Sequence, residues 1–572
     1  MLRLTSYIAG FYVPRMVLGL AILVASLLVI GCADSQPEQI YLNTPNGVLI
    51  GEEASSTGVV FKGIPYAMPP VGKRRWQHAE LSKPWKGARL ATQFSPACMQ
   101  SAPEREGDFF YHSAYQTSED CLYLNVWMPQ RESVKARLPV MVWIHGGALS
   151  AGSSAMPIYD GAELAAKGVV VVSVNYRLSI FGFFAHPELT KESMNHSSGN
   201  YGLTDQILAL KWVQKNIAAF GGDPDNVTLF GESAGALSVN HLLVSPLANG
   251  LFHRAIAQSP YLPPLPKLQT AYLGKPTAEQ SGLNFMRASG KESVAELRAL
   301  SAAALLEFAE QQVYFTETVE DGWVIPNQPD QLYEQARQHD IPLLIGFNSG
   351  EAYHLKDYIG VYAASIPESE RQYRQDVKAR YGKLSDTYLD LYPADNLRET
   401  VFAPVRDATY GWAAEKVARS YQSSQSEVYF YYFDYQLPWA KKMSMGAFHT
   451  SDLFFSFNNI KHNVKYSPNW PDYEPSTAEI ELADTISDYW VAFAKTGKPM
   501  VEGQPVWLPC KAQKKSYMAF TQAAPVPGEN LLPGMFELHE QIVAWRQSRR
   551  EVWWPTNIGL MAPVIQSVEG DR

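Results

Sequence analysis

The hexapeptide Phe230-Gly231-Glu232-Ser233-Ala234-Gly235 limits what this chain can fold into more than any other stretch. It fits G-x-S-x-G, the sharp strand-to-helix turn that presents a serine nucleophile. Ahead of it, Asn226-Val227-Thr228-Leu229-Phe230 is β-branched and aromatic, which predicts a buried strand. After it, Ala236 to Val244 carries apolar residues at helical spacing. A strand and a helix joined this tightly must cross closely. Gly231 and Gly235, lacking Cβ, permit that crossing. The Ser233 hydroxyl is then expected at a helix N-terminus, at the end of a sheet. Five residues with two free positions also occur in ordinary glycine-flanked turns, so the flanking strand and helix carry the argument.

Further short apolar runs predict core strands: Leu138–Ile144, Val169–Val174, Arg254–Ala257, Pro342–Ile345, Glu427–Tyr432 and Ser516–Phe520. Continuous apolarity marks strands covered on both faces. Helical stretches lie between them. In Gly202–Phe220, Ile207, Leu208, Leu210, Val213 and Ile217 form an apolar stripe opposite Lys211, Gln214 and Lys215. Alternating strands and helices predict an α/β fold around a large, mostly parallel central sheet flanked by helices. Polar, turn-rich stretches around 262–330, 353–425 and 456–480 are expected as helical insertions over the active end, with Trp412–Tyr421 one such helix. With 572 residues and no internal repeat, the chain is expected to form one large domain over 41–555, followed by a tail at 556–572.

The N-terminus has a different character. Arg3 and Arg15 precede an apolar run from Met16 to Ile30, too short for a membrane span, and the run ends at Val29-Ile30-Gly31-Cys32. Residues 1–31 are expected to be an export signal. The signal resembles that of bacterial lipoproteins, in which the cysteine, here Cys32, becomes the lipidated N-terminus. Residues 32–40 would form a polar tether, making the lipid the chain's only membrane contact and placing it in the cell envelope. A plain signal peptide or an uncleaved anchor are the alternatives. The net charge of −9, without long basic runs, argues against nucleic acid as a partner. Of the four cysteines, Cys98 and Cys121 are a candidate disulfide in an exported chain, and Cys510 is left as a free thiol. No cysteine–histidine spacing suggests a metal site.

A serine hydroxyl needs a base, an acid that orients the base, and N–H donors for an oxyanion. Trp143-Ile144-His145-Gly146-Gly147-Ala148-Leu149, directly after a strand, supplies candidate donors, because glycine lets backbone N–H groups face a ligand. The chain order of this architecture is serine, acid, histidine. Gly346-Phe347-Asn348-Ser349-Gly350-Glu351 puts a carboxylate at a strand's end. His449 lies beyond it, but so do His354, His462 and His539, and position alone does not choose among them.

The chain resembles the type-B carboxylesterase and cholinesterase family of α/β-hydrolases from about Gly47 to Trp507. The matching segments are Phe61–Ala67, Ser118–Val126, Asn175-Tyr176-Arg177-Leu178, Gly199–Gln206, Phe220-Gly221-Gly222-Asp223-Pro224 and Tyr489–Pro499. The resemblance implies an α/β-hydrolase fold and hydrolysis of small-molecule carboxylic esters, with no metal or organic cofactor. It assigns Ser233 as nucleophile, Glu351 as acid and His449 as base. It also assigns the backbone N–H groups of Gly147, Ala148 and Ala234 as oxyanion donors, and pairs Cys98 with Cys121. Three positions depart from the pattern: Ala352 follows the acid where glycine is usual, Leu149 replaces a frequent aromatic, and Pro260 stands where glycine is usual. Glu232 either adds negative potential near the leaving alcohol or is an elbow residue without substrate contact.

Cholinesterases hold a quaternary ammonium on a tryptophan in the first disulfide loop. Here that loop contains Phe109, Phe110, Tyr111 and Tyr115, with Tyr111 near the tryptophan's place, so neutral esters are the expected substrates. Non-catalytic adhesion relatives of the family are the competing class, and amide, thioester or polyester hydrolysis the competing chemistry. The oligomeric state is not legible in the sequence.

Overall fold

The computed structural model describes residues 39–565 except 55–57, 102–108, 111–114, 130–136, 354–365, 523 and 552–556. The export signal, Cys32, nearly all of the tether and Tyr111 lie outside the described residues. From Ile40 onward the chain forms one compact unit.

Its centre is a sheet of thirteen strands. In chain order these are β1 (Ile40–Thr44), β2 (Gly47–Ala54), β3 (Gly58–Pro65), β4 (Ala88–Leu90), β5 (Tyr123–Pro129), β6 (Leu138–Ile144) and β7 (Val170–Val174). They continue with β8 (Gly222–Glu232), β9 (Arg254–Gln258), β10 (Leu343–Asn348), β11 (Val428–Phe433), β12 (Ser516–Phe520) and β13 (Pro525–Glu529). The spatial order is β1-β2-β3-β5-β7-β6-β8-β9-β10-β11-β12-β13, with β4 beside β2. From β7 to β12 every neighbouring pair is parallel. The outer pairs, β1–β2, β2–β3, β3–β5, β5–β7 and β12–β13, are antiparallel.

The parallel strands are those the sequence marks as continuously apolar, and they are buried on both faces. Val140, Val142 and Ile144 pack with the helix Tyr201–Asn216 on one side, while Met141 and Trp143 pack with the helix Thr477–Thr496 on the other. That second helix starts with a reciprocal cap between Ser476 and Glu479 and stops at Gly497, in left-handed conformation at φ 78°. The long helix predicted over Gly202–Phe220 is α-helical to Asn216 and tightens to a 3₁₀ turn over Ile217–Phe220.

The described parts of the first two insertions carry helices, as expected, whereas 457–476 is loop apart from a 3₁₀ turn at Ile460–His462. The helix expected from Trp412 is the second half of a longer one: Glu399–Arg406 runs through a π-helical turn, Asp407–Gly411, into Trp412–Ser420. One boundary differs from expectation. Residues 557–565, expected as part of a tail, are built in: Ile558, Leu560 and Ala562 are buried in the main core, and Tyr381 donates to the Gly559 carbonyl at 2.8 Å. Burial of these side chains, together with the Tyr381 bond, offsets part of the entropy lost in ordering the segment.

Candidate active site

The elbow forms as the motif predicts. β8 ends at Glu232, and a helix runs from Ala234 to Val244. Between them Ser233 has φ 55° and ψ −121°, a conformation a side-chain-bearing residue adopts only when its surroundings force it. The forcing contacts are identifiable. A Cβ on Gly235 would lie 2.0 Å from the Ile144 carbonyl oxygen, and one on Gly231 would lie 2.6 Å from the Gly235 carbonyl carbon. The Ser233 N–H donates to the Gln258 carbonyl at 3.0 Å, which ties the turn to the end of β9.

The turn after β6 comes up against the elbow. A Cβ on Gly146 would approach Ser233 Cβ to 3.1 Å and Glu232 Oε2 to 2.9 Å. Gly147 has φ 103°, and Ala148 and Leu149 are also left-handed, at 53° and 60°. The loop is closed by the N–H groups of Ser150 and Ala151, both donating to the Gly147 carbonyl at 2.9 Å. Among the described residues, the N–H groups of Gly147, Ala148 and Ala234 have no hydrogen-bond partner. His145 anchors this loop rather than titrating in it: its ring stacks on Tyr176 at 4.5 Å, and burial pushes its imidazole down to about 4.

Glu351 and His449 meet. His449 Nδ1 is 2.6 Å from Glu351 Oε2, with both groups buried. The other carboxylate oxygen, Oε1, accepts from the Ser259 hydroxyl at 2.5 Å and the Asn348 N–H at 3.1 Å. Glu351 thus has both oxygens fixed, and the imidazole is fixed through it. Ala352, where the family has glycine, sits at φ 71° and is fully buried. The backbone keeps the left-handed turn that glycine adopts freely, at a cost of about 1–2 kcal/mol for alanine.

His449 Nε2 faces the elbow. It lies 3.1 Å from Oε1 of Glu232, the residue peptide-bonded to Ser233. Glu232 Oε1 makes no hydrogen bond among the described residues, so the contact is electrostatic and unaligned. Burial opposes charge on His449, but Glu232, Glu351 and Asp452 together hold the imidazole above its ordinary value. Glu232 itself is held above the usual carboxylate range, by burial first and by Asp452 and Glu351 after it, with His449 opposing. Asp452 belongs to a second buried network behind the imidazole. It accepts from Gln258 at 2.7 Å, Asn348 at 3.1 Å and Tyr431 at 3.2 Å.

The histidines that position could not separate now divide. His539 is buried far along the chain with Tyr392, and burial pushes it down to about 4; His462 pairs with Glu163 at the surface; His354 lies outside the described residues. Sequence reasoning missed Ser259, Asp452 and the Glu232–His449 contact. It also missed Tyr410 of the π-turn, whose ring centroid is 5.1 Å from that of His449. Ser259 was findable: it follows β9, the parallel neighbour of the elbow strand, and so falls at the same end of the sheet. The predicted disulfide Cys98–Cys121 is present, and Cys510 is free and half-buried. Phe109, in the disulfide loop, packs on Phe448 at 5.1 Å, one residue from His449.

Comparison with known proteins agrees with this geometry. Residues 38–530 match the model of the carboxylesterase family. The chain belongs to that family. It is 35% identical over 480 residues to fumonisin B1 esterase of Sphingopyxis macrogoltabida, covering 82% of this chain and 84% of that protein. It is 37% identical over 455 residues to the para-nitrobenzyl esterase of Bacillus subtilis (strain 168), covering 77% and 87%. Among solved structures, the Geobacillus stearothermophilus carboxylesterase superposes with a TM-score of 0.74 at 31% identity, covering 87% of this chain and 99% of that one. The α/β-hydrolase architecture and carboxylic-ester hydrolysis are therefore properties of this carboxylesterase.

Proposed function

We propose that this carboxylesterase hydrolyses small neutral esters through an acyl-enzyme on Ser233. In this reading His449 takes the Ser233 proton as the hydroxyl attacks the ester carbonyl. Glu351 holds the imidazole with its proton on Nδ1 and favours the imidazolium that forms. The N–H groups of Gly147, Ala148 and Ala234 receive the oxyanion. His449 then protonates the leaving alkoxide, and a water molecule repeats the sequence to release the acid. The observation that carries the assignment is the 2.6 Å Glu351–His449 contact, with the imidazole's other nitrogen turned to the residue next to Ser233.

The test is labelling by a fluorophosphonate. Ser233 should be the residue modified, and Ser233→Ala should fold, resist labelling and lose on the order of 10⁴-fold or more in turnover. Labelling of Ser233→Ala at the wild-type rate would remove the assignment.

The N-terminal pattern supports export and anchoring through a lipid on Cys32. Under this proposal Cys32→Ser releases the protein from the membrane fraction. A Cys32→Ser protein that stays there with residues 1–31 attached would mean an uncleaved anchor.

A further inference from the structure

One edge of the sheet carries an apolar, basic surface close in sequence to the tether. Tyr41 of β1 pairs with Ile50 of β2, and Ile50 pairs with Leu90 of β4. Cross-strand partners share a face, so the three side chains form one row. Its middle member, Ile50, is 8% exposed, while the flanking Tyr41 and Leu90 are 60% and 65% exposed. The opposite face of the same strands is core: Leu42 pairs with Leu49, and both are buried.

The stretch of chain that leads into β4 differs in charge from the whole. The chain carries a net −9, yet Val71–Thr92 holds six basic residues and one acid. Of the six, Arg75 is buried against Glu119, and Arg89 lies on the opposite face over Trp85 and Tyr123. Lys73, Arg74, Lys83 and Lys86 are exposed, the last two on the segment leading into β4. Glu52, next along the outer face of β2, is neutralised by Lys62 at 2.6 Å.

We propose that this edge docks on an anionic phospholipid surface, Leu90 and Tyr41 entering the headgroup region while Lys83 and Lys86 face lipid phosphates. The inference rests on the proposed lipid at Cys32. The chain from Cys32 to Ile40 spans at most about 28 Å, so an anchored protein holds β1 beside the bilayer at high local concentration. Apolar side chains with adjacent lysines are what such an interface recognises. The edge lies six strands along the sheet from the elbow strand, about 29 Å at the usual spacing, so docking leaves the catalytic groups uncovered.

The test places an environment-sensitive fluorophore on the full chain through Leu90→Cys, in a Cys510→Ser background, with Met194→Cys as the control site. The protein is reconstituted on phosphatidylcholine vesicles with or without about one-third phosphatidylglycerol. Emission from position 90 should shift to the blue on the anionic vesicles only. Lys83→Gln with Lys86→Gln should weaken the response at least about tenfold, and the position 194 label should stay water-like. Hydrolysis of a soluble ester, unchanged throughout, verifies folding. A water-like label at position 90, or equal shifts at both positions, overturns the docking surface. Mass spectrometry of Cys32 decides the anchor separately: where Cys32 is unmodified, the labelling is repeated with Cys32→Ser added, and a blue shift from position 90 then keeps the surface and removes the lipoprotein reading.

Discussion

Replacing Glu232 by glutamine tests the electrostatics of the site most directly. Glu232 Oε1 is 3.1 Å from His449 Nε2. Two full charges at that distance, at an effective dielectric constant of 20, interact by about 5 kcal/mol, or about 4 pKa units on the imidazole. The realised shift is smaller, because Glu232 is itself held above the usual carboxylate range and carries a partial charge where His449 titrates. About 1–2 units is the expected effect. The sign is fixed by charge. Glu232→Gln removes an anion that stabilises the imidazolium, so the His449 pKa falls and the neutral base persists to lower pH. The acid limb of kcat/KM should therefore move to lower pH. In the wild type that limb should lie above the ordinary histidine value. The plateau should also drop, because the imidazolium formed during proton transfer loses the same partner. A packing role alone would lower the plateau without moving the limb. A Glu232→Gln profile with an unmoved acid limb refutes the electrostatic argument.

Four other outcomes follow from the geometry. Ser259→Ala takes one donor from Glu351 Oε1 and should lower kcat about tenfold with an unchanged circular dichroism spectrum; a wild-type kcat would show that the Asn348 N–H alone fixes the carboxylate. Gly235→Ala puts a Cβ 2.0 Å from a carbonyl in the adjacent strand, and should cost more than about 3 kcal/mol or prevent soluble expression; a wild-type Tm would contradict the close crossing. Replacing Cys98 and Cys121 together by serine opens a loop of sequence separation 23 and should cost about 3 kcal/mol, read as a lowered Tm with hydrolysis retained below it. Acetylcholine should be no better a substrate than its uncharged isostere 3,3-dimethylbutyl acetate; a preference above about tenfold for the cation would require an aromatic cage not identified in this chain.

The sequence was most legible where one local requirement had one solution. The Ser233 turn needs glycine on both sides, and it lies between a strand and a helix whose periodicities differ. The continuously apolar runs became the parallel strands because burial on both faces removes polar alternation. The turn at Gly146 and Gly147 was legible because its position after a strand limits what two glycines can do. By contrast, Glu351 and His449 came from chain order and family pattern rather than from local physics. Neither is marked by its neighbours, and their partnership spans 98 positions of sequence. Residues 557–565 read as a tail because a short, proline-containing apolar stretch with no helical or strand period gives no sign of the groove its side chains enter.

What stayed hidden is the coupling among the loops. Ser233 is held by the end of β9, Ser259 follows β9 and holds Glu351, and Asn348 at the end of β10 reaches both Glu351 and Asp452. All but the local Asn348–Glu351 bond join segments remote in sequence, and each is made at the same end of neighbouring parallel strands. A parallel sheet produces that convergence without any local signal, because every strand delivers its following loop to one edge. The consequence is electrostatic as well as geometric. Three buried carboxylates, Glu232, Glu351 and Asp452, surround one imidazole, and their combined field outweighs the cost of burying its charge. A histidine in so dry a site would otherwise be a poor proton acceptor. The elbow thus sets two adjacent residues differently: Ser233 takes a strained backbone conformation, and Glu232, on the other side of the peptide bond, is turned back toward the His449 imidazole.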